Sequence, residues 1–183
     1  IISLPRNRAT CKNLKIPAQE PAEIEKIVPL QVARFLPFST NGFIIGYEVN
    51  ATDKDGYSSV NVVIVDKDLV EGYHKIFREL KPAKISVILN SYGLINAYNY
   101  LNGPADNTVM LIDIDTNQVE VVVSAKEKLL FSRSFKLNLK DDNWQETLAS
   151  EIKTSRDFYI KEIPDNIPAK VILSGSKENS RIF

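Results

Sequence analysis

The chain has 183 residues, 44% of them hydrophobic, and its 23 basic residues balance its 23 acidic residues. A chain of this length can bury a substantial core in one large domain or two small ones. Because the formal net charge is zero and no run of Lys or Arg occurs, composition argues against a nucleic-acid partner or an anionic-membrane patch. The one cysteine, Cys11, excludes an internal disulfide, and no apolar run approaches the ~20 residues of a membrane span.

The N-terminal part of the sequence predicts extended chain followed by a helix. The first residues, from Ile1, have the character of a strand interior, and we therefore expect a fragment or a divergent short form of a longer protein. Residues 1–20 read as extended. Apolar spacing then predicts a helix over residues 22–36, which Pro29 either kinks or delays.

A hairpin and an amphipathic helix are predicted next. β-rich residues over 43–49 and 58–65 flank a polar loop that ends in Gly56, a pattern typical of a strand pair. Asp66 can cap a helix whose apolar residues fall on one face at a period of 3.6 residues. Pro82 ends that helix.

A short strand, a second helix and a domain boundary follow. Residues 84–89 are apolar and predict a strand, and Ser91 can cap a helix that Gly103 and Pro104 stop. The polar stretch 102–107 has few apolar anchors, so it is the best internal boundary.

The last part of the sequence predicts a meander, a helix and a final strand. The three strands of the meander are residues 109–114, 119–124 and 129–135. Asn143 with Glu146 three residues later resembles a capping box for the next helix. Residues 169–173 read as the last strand, which runs into Ser174.

The order of these segments resembles the type IV pilus assembly protein PilM family. ISLPRNRATCKNLKIPA precedes EIEKIVPLQVARFLPFSTNGFIIGYEV, in which a helix ends in LPF before a strand. The order continues through VNVVIVDKDLVEGYHKIFREL, LIDIDTNQVEVVV, KLLFSRSF, SEIKTSRDFY and KVILSGS. No one segment is specific, but together they cover nearly the whole chain. The cytoplasmic domain of the type II secretion protein GspL is similar to the same family.

The resemblance implies an α+β fold. It consists of an actin-like (ribonuclease H-like) subdomain with a mixed sheet and an inserted small strand-helix-strand-strand domain. By the same resemblance, residues 1–19 form a strand of the actin-like body and residues 20–103 form the inserted domain. Residues 107–183 form a second, truncated actin-like subdomain.

Proteins of the actin-like ATPase superfamily clasp a nucleotide between β-hairpins, and the resemblance places one such hairpin at Asp113, Asp115 and Thr116. The family hairpin reads Asp, any residue, then Gly, because glycine lets backbone N–H groups approach phosphate oxygens. Here Asp115 stands in the glycine position. At a separation of roughly 5 Å and an effective dielectric of about 20, its carboxylate would repel one phosphate charge by roughly 3 kcal/mol.

The second nucleotide-contacting turn is also altered. The family turn usually carries two glycines, whereas this sequence reads Ser174, Gly175, Ser176. We therefore predict a degenerate nucleotide site, no cofactor and no catalytic activity. The alternative is a divergent actin-like ATPase that uses Asp113 with ATP and Mg²⁺. No metal site is predicted, because His74 has no companion ligands at suitable spacing and an Asp at a strand end usually begins a turn.

The resemblance also implies a groove that accepts the cytoplasmic N-terminal segment of a single-span inner-membrane pilus assembly protein. The candidate contact residues are Leu4, Arg6, Arg34, Phe35 and Phe38, although the apolar ones could equally be core residues. We therefore predict a cytoplasmic scaffold, peripheral to the inner membrane through its partners and without direct membrane insertion. An assembly ATPase is a further implied partner, and a GspL-like role in secretion is the alternative that stays open.

Overall fold

The computed structural model describes residues 1–36, 40–104, 107–164 and 166–175. Two of the predicted site residues, Phe38 and Ser176, lie outside this described part. The chain divides into two compact units, residues 1–89 and 90–183. Among the described residues, no helix combines the length and the apolar character needed to cross a bilayer.

The first unit is built on a three-stranded antiparallel sheet. Its order is β2–β4–β3, where β2 spans Ala9–Ile16, β3 spans Phe43–Thr52 and β4 spans Ser58–Asp66. The central strand β4 is buried at most positions, and its backbone groups are satisfied by a partner on each edge. The pairing of β3 with β4 confirms the predicted hairpin.

The turn between β3 and β4 is closed by the side chain of Asp53. Its carboxylate accepts hydrogen bonds from the backbone N–H groups of Asp55 at 3.0 Å and Tyr57 at 2.9 Å. The ammonium of Lys15 lies 3.0 Å from the same carboxylate. The Tyr57 N–H, followed by Lys15, lowers the pKa of Asp53, and the pKa of Lys15 is raised in return. Gly56 in this turn has a φ of 86°, which favours glycine.

The first helix, α1 (Pro21–Ala33), packs on one face of this sheet. Its buried residues Ile24, Val28 and Val32 are four apart, so they share one side of the helix. Pro29 lies inside the helix on its exposed side. The helix therefore runs through Pro29 and ends three residues before the predicted end at residue 36.

The other face of the sheet is partly covered by a helix and two short strands. These are α2 (Lys67–Arg78) and the parallel pair β1 (Ile2–Leu4) and β5 (Val87–Leu89). Leu4 and Val70 pack against Val65 in a common core. Asp66 caps α2 as predicted, because its carboxylate accepts from the N–H groups of Asp68 and Leu69 at 2.8 and 3.2 Å.

The second unit contains a mixed four-stranded sheet in the order β8–β7–β6–β9. The strands are β6 (Val109–Ile114), β7 (Gln118–Ala125), β8 (Lys128–Lys136) and β9 (Lys170–Gly175). The antiparallel pairing of β6, β7 and β8 confirms the predicted meander. The last strand, β9, adds to β6 in parallel, which makes the sheet mixed as predicted.

Helices cover both faces of this second sheet. The helix α3 (Asn90–Asn102) packs through Ile95 against Leu111 and Val122. The helix α4 (Trp144–Glu162) packs on the opposite face, where Tyr159 joins Ile112 in the core. Arg133 of β8 holds α4 in place, because its guanidinium donates to the Glu151 carboxylate at 2.7 Å and to the Ser155 hydroxyl at 3.0 Å. Hence the second unit is a three-layer helix–sheet–helix structure.

Contacts in the two units differ from the predicted division of the chain. The prediction separated residues 1–19 from a small domain over 20–103, whereas β2 pairs along its length with β4. It also placed the helix α3 in the small domain, whereas α3 packs on strands of the second unit. Both differences come from pairing between residues that are distant in sequence.

The start of α4 corrects one predicted contact. Asn143 does precede the helix, but its side chain makes no capping hydrogen bond. Its backbone has φ −105° and ψ 19°, whereas a capping residue needs an extended backbone to aim its side chain at the first N–H groups. The predicted capping box with Glu146 is therefore wrong, although the helix begins where expected.

Candidate functional site

A row of polar side chains crosses the second sheet near one end of its strands. Asp113 of β6 lies opposite Glu120 of β7 and, on its other side, opposite Ser174 of β9. Residues opposite each other in a sheet point to the same face. Here that face is the one covered by α3, because Leu111, two residues before Asp113, packs with Ile95 of α3.

The carboxylate of Glu120, in β7, lies beside the first two residues of α3. Its side chain is 6% exposed and accepts hydrogen bonds from the Asn90 amide at 3.0 Å and the Ser91 hydroxyl at 2.5 Å. A helix N-terminus presents unpaired N–H groups and the positive end of the helix dipole, so it favours an anion. In this unit the anion is a carboxylate of the chain itself.

Asp113 and Ser174, both predicted site residues, are brought together by the pairing of β6 with β9. The Ser174 hydroxyl donates to the Asp113 carboxylate at 2.7 Å. Asp113 is half-buried and Ser174 is exposed, so this end of the row is open to solvent. The two residues are 61 apart in sequence, and only the parallel pairing makes them neighbours.

The other two hairpin residues, Asp115 and Thr116, form the turn after β6. The Asp115 carboxylate accepts from the Thr116 backbone N–H at 2.7 Å and from the Thr116 hydroxyl at 3.3 Å. The Asp115 N–H donates to the Gln118 carbonyl at 2.9 Å. A phosphate would need N–H groups of this turn, and the N–H of Thr116 already has a charged acceptor.

Gly175 has a structural reason to be glycine. It lies opposite Ile114, and a Cβ atom at Gly175 would sit 2.7 Å from the Ile114 carbonyl oxygen. Close approach of two backbones therefore explains this glycine without a nucleotide.

The polar row has limited chemical capability. Within the described ranges, no group of three or more His, Cys, Asp or Glu side chains is placed to hold a metal ion. Ser91 is fully buried and its hydroxyl donates to Glu120, so a substrate cannot reach it as a nucleophile. The row can fix the start of α3 and can present one half-buried carboxylate, that of Asp113.

A groove of about 370 Å³ lies within the first unit. Its lining is mixed: Phe43, Ile64 and Leu69 contribute apolar surface, and Arg8 and Asp66 contribute charged groups. The remaining lining residues are Asn7, Ala9, Thr10 and Leu36. The start of β2, the chain after α1, the ends of β3 and β4 and the first turn of α2 meet here. Sequence reasoning missed these residues because five separate segments contribute them.

Of the predicted partner-binding residues that the structure describes, none lines this groove. Leu4 is 2% exposed and belongs to the core of the first unit. Arg6 donates to the Ala9 carbonyl at 2.6 Å, and Arg34 donates to the Gln31 side chain at 3.2 Å. Phe35 packs on the α1 core, and the Lys12 ammonium lies 4.8 Å from the centre of its ring.

Comparison with known proteins adds a family and a fold. Residues 29–145, well over half of the chain, match the model of DUF3822, described as a protein of unknown function. No curated protein matches the sequence.

Two solved structures share the fold over nearly the whole chain. One is the PilM-PilN type IV pilus biogenesis complex, with a TM-score of 0.78 and 15% identity over 97% of this chain and 62% of the other. The second is the cytoplasmic domain of EpsL, an inner membrane component of the type II secretion system of Vibrio cholerae. It has a TM-score of 0.56 and 11% identity over 94% of this chain and 63% of the other.

A Bacteroides thetaiotaomicron protein with an actin-like ATPase fold and unknown function also matches, with a TM-score of 0.44 and 13% identity over 94% of this chain and 66% of the other. The chain spans about three fifths of the length of the PilM and EpsL structures that it matches, 62% and 63%. The predicted α+β, actin-like fold and the resemblance to PilM and GspL are confirmed.

Proposed function

This chain belongs to the DUF3822 family, and from its fold and the groove in its first unit we propose that it is a non-catalytic adaptor of an inner-membrane assembly platform. It acts on the cytoplasmic side, in a type IV pilus or a related secretion system, and it binds the cytoplasmic N-terminal segment of a single-span membrane protein. An assembly ATPase is a second partner of the same platform.

The observation that carries the proposal is the groove in the first unit. An extended peptide needs apolar pockets for its side chains and polar groups for its backbone. Phe43, Ile64 and Leu69 supply the apolar surface, and Arg8 and Asp66 supply charges of opposite sign. The PilM-PilN type IV pilus biogenesis complex, whose structure shares this fold, supports a role in binding a partner protein.

The polar row supports the non-catalytic part of the proposal. The Glu120 carboxylate accepts from the side chains of Asn90 and Ser91 at the start of α3, and the Asp115 carboxylate accepts from the backbone N–H of Thr116. A triphosphate bound at the turn after β6 would have to displace the Asp115 carboxylate from the Thr116 N–H and approach the Asp113 carboxylate. Both changes oppose nucleotide binding.

Binding to synthetic peptides tests the adaptor role. The probes are the cytoplasmic N-terminal segments of single-span membrane proteins encoded beside this chain's gene, measured by fluorescence anisotropy. We expect one of them to bind with a Kd of roughly 1–100 μM. Arg8→Glu should weaken that binding at least about tenfold, because it reverses a charge beside the groove.

Arg34→Glu is the matched control. Arg34 is exposed and lies outside the groove, so this charge reversal should leave peptide affinity unchanged. Weaker peptide binding by Arg34→Glu with unchanged binding by Arg8→Glu would place the peptide site at the end of α1 instead. No binding by any of the peptides would remove the adaptor proposal.

A divergent ATPase is the second candidate, and the half-buried Asp113 favours it. Its carboxylate lies at the solvent-open end of the polar row, where a metal-bound nucleotide could reach it. Calorimetry with ATP and Mg²⁺ separates the two functions. The adaptor proposal predicts no saturable heat, whereas tight binding that is lost in Asp113→Ala would establish the ATPase.

A further inference from the structure

An apolar stripe on α2 is exposed to solvent. Gly72, Ile76 and Leu80 follow one another at intervals of four residues, so they share one side of the helix. Ile76 is 65% exposed and Leu80 is 73% exposed. Leu80 follows the helix end but continues its course, because its N–H donates to the Phe77 carbonyl at 3.1 Å. This stripe lies beside the buried side of α2, which faces the core through Val70.

Gly72 at the middle of the stripe has no internal reason to be glycine. A Cβ atom there would meet nothing within 4 Å, and the residue has an ordinary helical backbone. Glycine is the least favourable residue in a helix interior after proline. Its one evident use is to let another helix approach closely, since the distance between helix axes depends on the side chains at the crossing.

The charges beside the stripe are arranged so that α2 complements itself. Asp68 and Lys75 are seven residues apart, so they lie along the same flank of the helix, and both are exposed. If two copies of α2 cross antiparallel at Gly72, equivalent flanks meet, and Asp68 of one copy faces Lys75 of the other. Two-fold symmetry makes this pair occur twice.

We propose that two copies of this chain associate through α2, packed antiparallel with Gly72 at the crossing and Ile76 against the partner helix. The occupant of the stripe is a second copy rather than an unrelated helix. In an antiparallel pair of α2 helices, Asp68 of each copy faces the oppositely charged Lys75 of the other. The association is weak, since a helix of 12 residues offers less surface than the roughly 1,200–2,000 Å² of stable interfaces.

Sedimentation equilibrium on the 183-residue chain tests this contact at concentrations up to ~1 mM. We expect a monomer–dimer equilibrium that Ile76→Glu weakens at least tenfold. Leu30→Glu is the matched control, because Leu30 is 68% exposed on α1 and lies outside the stripe. A chain that stays monomeric at every concentration, or a control that weakens association as much as Ile76→Glu, overturns the proposal.

Exchange of the two charges gives a sharper test. Asp68→Lys and Lys75→Asp should each weaken the dimer several-fold, and the double variant should recover it. A mixture of the two single variants should also associate, because each copy then supplies the partner charge that the other needs. Failure of both combinations to recover association would exclude the antiparallel arrangement.

Gly72→Ala separates packing from stability. It should weaken the dimer at least fivefold by adding a methyl group at the crossing. At low concentration the same change should raise Tm by about 2–4 °C, because alanine favours the helix. Unchanged association in this variant would place the contact elsewhere.

Discussion

Two residues of the second unit hold an unfavourable backbone conformation. Lys126 and Glu127 form the two-residue turn between β7 and β8, with φ of 49° and 66°. A two-residue hairpin with positive φ at both positions is a type I′ turn, which favours Asn followed by Gly. Neither residue suits its position, so the turn stores strain that the paired strands overcome.

Replacing Glu127 by glycine should therefore stabilise the protein. We expect Glu127→Gly to raise the free energy of unfolding by about 1 kcal/mol, because glycine adopts positive φ without steric cost. Urea denaturation measures the change, and Glu127→Ala is the control that removes the carboxylate but keeps a Cβ atom. Equal stability of the two variants would show that the gain comes from charge rather than from backbone conformation.

Tyr159 is a buried titratable group whose environment favours the neutral form. Its side chain is fully buried, its ring packs edge-on against Phe131 with 5.9 Å between ring centres, and its hydroxyl donates to the Asn166 carbonyl at 2.5 Å. Burial raises the pKa of Tyr159 from 10.0 to about 12. The unfolded chain therefore loses this proton at a lower pH than the folded chain does.

The stability contributed by Tyr159 is present below pH 10 and is lost as the pH rises toward 12. Relative to Tyr159→Phe, the free energy of unfolding of the wild-type chain should fall by about 1.4 kcal/mol between pH 9 and pH 11, since one pKa unit corresponds to that energy. Denaturant unfolding at both pH values checks this, with the exposed Tyr100→Phe as a matched variant. A constant difference between wild type and Tyr159→Phe would contradict it.

At the scale of elements, Glu120 fastens the start of α3 to β7. The buried carboxylate accepts from Asn90 and Ser91, so its loss removes one hydrogen bond from each of these side chains. We expect Glu120→Ala to lower the free energy of unfolding by about 2–4 kcal/mol. Glu120→Gln keeps the shape and one acceptor, and it should lose less.

Hydrogen exchange separates this local role from a global one. The amides at the start of α3 should exchange faster in Glu120→Ala, because the helix N-terminus loses its anion. Uniformly faster exchange across the second unit would instead mean that Glu120 supports the whole core. Protection unchanged at the start of α3 would show that the carboxylate does not fasten it.

Local sequence patterns predicted the helices and strands well, but they did not predict which of these elements contact each other. Asp66 stands directly before an amphipathic stretch, and the cap it predicts is present. Asn143 stands in an equally suggestive place, but its backbone dihedrals prevent the side-chain bond. The partner of β2 lies more than 40 residues away in the sequence, and α3 packs on strands beyond the predicted domain boundary, so no local pattern encodes either contact.

The candidate site shows the same limit. The sequence singled out Asp113 and Ser174, and β6 and β9 bring them together. Glu120 was missed because a lone Glu in an apolar strand gives no sign of the helix that it meets. The groove residues were missed for the same reason, since Arg8, Phe43 and Leu69 come from separate segments.

For the molecule as a whole, zero net charge predicts that long-range electrostatic attraction contributes little to the rate at which a partner binds. With 23 basic and 23 acidic residues, a partner should meet a nearly neutral chain. The association rate with a partner peptide should therefore change less than about threefold between roughly 50 and 500 mM salt. Stopped-flow fluorescence measures the rate, and a steep salt dependence would show that a local charged patch, rather than the net charge, steers the peptide.

The carboxylate of Glu120 accepts hydrogen bonds from the side chains of the first two residues of α3. Because it is covalently part of the chain, it cannot be released, exchanged or used up. This tether between α3 and β7 therefore lasts as long as the fold of the second unit itself.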